Sequence, residues 1–207
     1  SYLQILRNRG IKVAFMYFYD SHLFDIIHGT NTTLRLVRDD HKNIPPNFNH
    51  GTYYMASLSS EITKIFQFLH NKLADFENYT FIDIGCGKGK VNLTWLLELK
   101  KRQLNQFTLG IDYYYPLIKI ARDNNRLLFK SEGFFACCDI TSLDLKLVSD
   151  KLILYLYNPF DEVILENLMQ CVSAIDCLIV YVNPVHEKII RKYNFFLKLR
   201  IKIKITI

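Results

Sequence analysis

Residues 81–90 read FIDIGCGKGK, and this run decides the fold. A short apolar stretch, Thr80–Ile84, carries one acid, Asp83, and then meets Gly85, Gly87 and Gly89 at alternate positions. Glycine lets a chain turn sharply and lets backbone approach a ligand with no Cβ in the way. The helix expected to follow starts with unpaired N–H groups. A buried strand, a glycine turn and a helix N-terminus together describe a ligand-cradling βα unit. Two familiar versions do not match. The dinucleotide fingerprint G-x-G-x-x-G has Lys90 where its third glycine belongs, and the phosphate loop G-x-x-x-x-G-K-[ST] is absent.

Outward from this run, strand-like and helix-like segments alternate. A helix is expected to run from a Ser59-Ser60 cap to about Lys72, with Ile62, Ile65, Phe66 and Leu69 on one face. Past the glycines come a helix over 91–101, a strand over 107–111, and a helix over 116–129 with proline in its first turn. A strand over 134–138 follows, then a strand over 152–157 stopped by Asn158-Pro159. A helix over 161–175 is capped by Asp161, a strand over 177–182 is stopped by Asn183-Pro184, and a short helix covers 186–193. Apolar strands alternating with helices predict a parallel sheet covered on both faces. The tail differs. Leu199, Ile201, Ile203, Ile205 and Ile207 alternate with Arg200, Lys202 and Lys204, the pattern of a strand with one wet face.

The second strand ends at Asp112, 23 residues beyond Gly89. An acid at that distance, on the tip of the second strand, suits ribose hydroxyls, which a carboxylate can accept bidentately. Four strand ends then carry chemistry-bearing residues in order: Gly85, Asp112, Cys138-Asp139-Ile140 and Asn158-Pro159-Phe160.

This series resembles class I S-adenosylmethionine-dependent methyltransferases over about 55–187. The resemblance implies a three-layer α/β/α Rossmann-like fold, its sheet mostly parallel with an antiparallel C-terminal strand. It implies S-adenosyl-L-methionine as cofactor and S-adenosyl-L-homocysteine as product. The cofactor-binding set it carries over is Asp83, Gly85, Cys86, Gly87, Gly89, Asp112, Tyr113, Asp139, Ile140 and Asn158, with Asp139 on the adenine amine. Asn158-Pro159-Phe160 resembles the [N/D/S]-P-P-[Y/F] motif of enzymes that methylate nitrogen, with one proline fewer. In that motif the side-chain oxygen and a backbone carbonyl hold the target N–H, and the aromatic packs on the substrate. Upstream, HGTYYMASLSSEI matches the place of a lid, where lysine methyltransferases of this fold keep an aromatic and a small hydroxyl residue. Tyr53, Tyr54 and Ser57 are the candidates, Tyr54 foremost. The implied division is a helical and loop extension over 1–52, a candidate lid, and a methyltransferase domain over 53–207. The family's sheet has seven strands, so the final antiparallel strand is expected to be missing or cut short.

Composition bounds the rest. Half of the 207 residues are hydrophobic and 22% are charged, too apolar for a disordered chain and enough for one core. The net charge is +6, but residues 188–207 hold seven basic residues and no acid, while 1–187 hold 19 basic and 20 acidic ones. The basic excess therefore marks the tail, either as a soluble sheet edge or as a recruiter of an acidic substrate, and gives little support to nucleic-acid binding. No apolar run of membrane-spanning length and no signal-peptide pattern is present. Five cysteines without CxxC point to a reducing, cytoplasmic setting. The six histidines show no metal spacing.

The expected activity is N-methylation of a protein side chain such as lysine. A small molecule or an RNA base is the enzymatic alternative. A non-catalytic nucleotide-binding module and a nicotinamide oxidoreductase are the alternatives of other classes.

Overall fold

The computed structural model describes residues 7, 10, 11, 15, 18, 20, 22–33, 50, 51 and 56–193. The expected tail strand over 194–207, Tyr53 and Tyr54 lie outside them.

After a helical stretch at 22–28, the chain forms α1 (Ser59–Lys72), β1 (Thr80–Ile84), α2 (Lys90–Arg102), β2 (Thr108–Asp112), α3 (Tyr115–Phe129) and β3 (Phe135–Cys137). Two 3₁₀ turns, Ile140–Ser142 and Leu145–Leu147, lead to β4 (Lys151–Tyr157), α4 (Glu162–Val172), β5 (Asp176–Val182) and α5 (Glu187–Lys192). The sheet order is β3-β2-β1-β4-β5, and every pairing is parallel. This is the three-layer Rossmann-like arrangement the glycine run predicts. β1 sits at the centre with all five residues buried, as a strand covered on both faces must be.

Each face of the sheet has its own core. On one, Ile82, Ile84, Leu152, Leu154 and Leu156 pack under Ile164, Leu165 and Leu168 of α4. On the other, Phe81 and Tyr155 face α1 and α2 through Phe66, Phe76 and Trp95. Phe81 stacks on Trp95 at 3.8 Å with the rings 12° apart. The indole N–H of Trp95 donates to Gln106 Oε1 at 2.7 Å, and Gln106 Nε2 donates to the Phe76 carbonyl at 2.8 Å, so the ring is buried with its polar edge satisfied.

Three boundaries differ from expectation. The N-cap of α1 is Leu58, with no side-chain cap. Ser59 and Ser60 lie inside the helix, and Ser60 Oγ donates to Asp20 instead. The cap at Asp161 is real, its carboxylate accepting from the Val163 and Ile164 amides, but α4 ends at Val172 instead of running to Ile175. β3 is only three residues long. Part of the C-terminal basic excess is neutralised locally: Arg191 pairs with Glu187 and Lys192 with Glu166. Among the described residues, no helix is long and apolar enough to cross a membrane.

Candidate cofactor and acceptor site

Because the strands are parallel, their carboxyl ends open on one edge, and all four motifs gather there. Gly85, Gly87 and Gly89 all have positive φ, at 78°, 53° and 81°. The turn is held from below: the Gly85 and Cys86 amides both donate to the Ile111 carbonyl, at 2.8 and 2.9 Å. Gly85 also has no room for a side chain. A Cβ there would lie 2.5 Å from Pro159 Cβ, so the glycine turn after β1 and the Asn-Pro turn after β4 are in contact. α2 begins at Gly89 with no side-chain cap and no acid in its first turn. The amides of its first turn therefore receive no capping side chain from the helix itself.

Two carboxylates sit beside this turn. Asp83 is 2% exposed, and its Oδ2 has no hydrogen-bond partner. Burial, and then the nearby Asp112 charge, push its carboxyl well above the usual range. Asp112 is also buried, but both its oxygens are used: Oδ2 accepts from the Gly87 amide at 2.9 Å and Oδ1 from the Tyr114 amide at 2.8 Å. Burial raises its pKa to about 6, and the two amides offset part of that rise. Asp112 is thus the clamp of the glycine turn as well as the acid at the second strand tip. Cys86 is buried with its thiol pushed up, chiefly by burial, which leaves it inert as a nucleophile. At the exit of β3, Asp139 Oδ1 accepts from the Thr141 amide and hydroxyl, at 2.9 and 2.8 Å, and opens the turn that buries Ile140.

The exits of β4 and β5 carry the two Asn-Pro pairs side by side, since Tyr157 is in register with Val182. Asn158 and Asn183 take positive φ, 43° and 50°, a conformation asparagine tolerates better than most residues. Tyr181 Oη donates to Asn158 Oδ1 at 3.1 Å. Phe160 is buried and forms an isolated antiparallel bridge with Gly51. The Asp161 amide donates to the His50 carbonyl at 2.9 Å, and Asp161 Oδ2 meets His50 Nδ1 at 2.5 Å. A Cβ on Gly51 would lie 2.6 Å from the Tyr113 hydroxyl. Residues 50–51 therefore reach from the exit of β4 to the exit of β2, across β1 between them. Ser57 is buried and accepts from the Tyr155 hydroxyl at 3.1 Å.

The N-terminal segment is also built into the glycine turn. Lys88 and Lys90 are 1% and 2% exposed. Lys88 Nζ donates to Asn31 Oδ1 and Lys90 Nζ to the Asp20 carbonyl, each at 3.0 Å. The Asn31 amide donates to Asn124 Oδ1 at 2.9 Å, and Asn124 Nδ2 reaches the Lys88 carbonyl at 3.1 Å. Asp25 folds the segment by accepting from Thr30, Thr32 and Thr33. Sequence reasoning missed these residues. One signal was readable: the apolar stripe of α3, Leu117, Ile118 and Ala121, continues at 124 and 125 as two asparagines, and both are buried.

The family model described as a methyltransferase domain matches residues 75–193, more than half of the chain. The chain belongs to this methyltransferase family. No curated protein is similar to it in sequence. Among solved structures, the plantazolicin methyltransferase BpumL in complex with SAH shares 19% identity, with 57% of this chain and 36% of that one covered and a TM-score of 0.32. A predicted N6-adenine-specific DNA methylase from Listeria monocytogenes shares 11%, with 67% and 47% covered and a TM-score of 0.49. A ribosomal protein L11 methylase from Lactobacillus delbrueckii subsp. bulgaricus shares 16%, with 65% and 68% covered and a TM-score of 0.42. This methyltransferase thus covers less than half the length of the first two, and the assignment rests on the matched family segment alone.

The cofactor of the family is S-adenosyl-L-methionine, and the residues present fit it. The unpartnered Oδ2 of Asp83 is a buried acceptor awaiting a donor. Positive φ at three glycines keeps the turn beside it free of side chains at those positions, and the start of α2 carries no side-chain cap.

Proposed function

We propose that this methyltransferase transfers a methyl group from S-adenosyl-L-methionine to a nitrogen on a protein side chain such as lysine. The observation that carries the reading is the packing of Pro159 on Gly85, which sets Asn158 and Phe160 beside the cofactor turn. In this reading Gly85, Cys86, Gly87 and Gly89 bear the methionine end, Asp83 takes a donor there, and Asp112 with Tyr113 holds the ribose. Asp139 and Ile140 flank the adenine. Asn158 lies between cofactor and acceptor, and Phe160 lines the acceptor side. The unpaired cysteines suit a reducing, cytoplasmic setting.

Bound cofactor supplies a methyl group already activated on a sulfonium, so the chain's own task is positioning, where large effective molarities arise. Asn158 Oδ1 and the backbone after it orient the acceptor's N–H and so aim its lone pair. A lysine amine must first lose its proton, and an apolar wall such as the Phe160 ring favours the neutral form.

Two measurements test this. Tritiated cofactor is incubated with the protein and, separately, with lysine-containing peptides, RNA and small amines, and the product is digested for amino-acid analysis. Label in methyl-lysine is expected, whereas label only in RNA or in a small amine overturns the acceptor. Asn158→Ala should abolish transfer while leaving S-adenosylhomocysteine affinity within about twofold. An equal loss of both would end the role given to Asn158.

A further inference from the structure

An asparagine amide can present either its oxygen or its nitrogen to a given side, and the two ends differ by a flip about one bond. For Asn158 that choice decides whether an acceptor meets a hydrogen-bond acceptor or a donor. Its backbone is held by a positive φ, but this leaves the amide plane to be set by side-chain partners. The partner comes from the neighbouring strand. Leu156 of β4 is in register with Tyr181 of β5, so Asn158, two residues further on, shares the face that Tyr181 occupies. Tyr181 is half-buried against the α4-side core, which limits its ring. The Tyr181 hydroxyl gives its proton to Asn158 Oδ1 at 3.1 Å. A flip of the amide would exchange Oδ1 for Nδ2 and so replace the bond that Tyr181 donates.

We propose that Tyr181 is a positioning residue that fixes the flip of the Asn158 amide and so the hydrogen-bonding character this site offers its acceptor. The proposal rests on the reading of Asn158 as the residue beside the acceptor. An amide oxygen has two lone pairs. Tyr181 takes one on the β5 side and holds the other in a defined direction.

The test is Tyr181→Phe, read by nuclear magnetic resonance and calorimetry on the full chain saturated with S-adenosylhomocysteine. The Asn158 side-chain amide protons are assigned by their loss in Asn158→Asp. In the wild type they should form a distinct pair, slow to exchange with water. In Tyr181→Phe the exchange should quicken about fivefold, the factor that one net hydrogen bond of about 1 kcal/mol sets. S-adenosylhomocysteine affinity should stay within about twofold. An unchanged amide pair overturns the proposal, and so does equal loss of ligand binding, which would make Tyr181 merely structural. If the wild type binds no S-adenosylhomocysteine, the cofactor reading fails, and the amide signals of the unliganded protein still decide the role of Tyr181. Should Tyr181→Phe not fold, Asn158→Ala gives the converse reading. The Tyr181 hydroxyl proton, slow to exchange in the wild type, should then be lost to exchange, and its persistence overturns the proposal.

Discussion

The turns that follow β1 and β4 touch each other, yet they meet the same backbone demand in opposite ways. After β1 the chain takes positive φ three times, and each time at a glycine, so the wall it presents is backbone with no side chain at those positions. After β4 it takes positive φ once, at Asn158, and keeps a side chain that can hold a hydrogen bond. A backbone surface suits a ligand that is always the same, because amides at fixed spacing need no adjustment. A side-chain surface suits the partner that has to be told from others. On the proposed reading, the cofactor half of the cleft is made by removing side chains, and the acceptor half by retaining one where few are tolerated.

That contrast can be broken most severely at the contact point. Gly85→Ala combines a positive-φ alanine with a Cβ 2.5 Å from Pro159. It should cost about 3 kcal/mol by denaturant unfolding and lower S-adenosylhomocysteine affinity at least tenfold in calorimetry. A near-neutral result would mean the two turns can separate.

The second effect is nearly as large and concerns pH. The folded pKa of Asp112, about 6, lies above the ordinary value of 3.8, so the folded protein keeps a proton that the unfolded chain has released between those pH values. Its contribution therefore favours folding at low pH and is lost as pH rises from about 4 to 6, by roughly 3 kcal/mol in the ligand-free protein. Cofactor binding runs the other way, since the ionised carboxylate is the better acceptor for ribose hydroxyls. Affinity for S-adenosylhomocysteine should fall about tenfold per pH unit below 6 and level off above 7. Calorimetry from pH 5 to 8 checks it, and a flat profile would remove Asp112 from the ligand.

Smaller effects sharpen the acceptor half. Asn158→Gly should keep wild-type stability within about 0.5 kcal/mol, whereas Asn158→Ala should lose about 1 kcal/mol for the same loss of transfer, which separates the backbone task from the amide task. Asn183→Gly, at the matching turn one strand over, should change stability by no more than about 0.5 kcal/mol and leave S-adenosylhomocysteine affinity untouched. If it weakens binding, the site extends to β5.

The sheet was legible because its strands are buried on both faces and announce themselves as apolar runs ending in turn residues. β1, β4 and β5 fall within a residue of expectation for that reason. The places that misled were those where a tertiary partner replaces a local one. Ser59 and Ser60 read as caps, but Ser60 bonds Asp20, 40 residues earlier. Lys88 and Lys90 carry no local sign of burial, but a segment more than 50 residues upstream covers them. The pairing of His50 with Asp161 spans 111 residues, and no period or spacing could report it. The motif residues themselves were found where backbone chemistry demands a residue type, at the glycines and at Asn-Pro, and their hydrogen-bond partners were not.

The helix ahead of β1 has a practical consequence. A fragment cut just before Thr80 would retain every strand, all three turn glycines and both buried carboxylates. It would nonetheless shed Ile62, Ile65, Phe66 and Leu69, the outer wall around Trp95, together with the oxygen atoms that Lys88 and Lys90 bond. Two ammonium groups would each lose an acceptor beside the loop, and an indole would lose packing along one side. The smallest piece that carries the signature is thus shorter than the smallest piece that can stand alone, and any graft or expression boundary belongs upstream of Asp20.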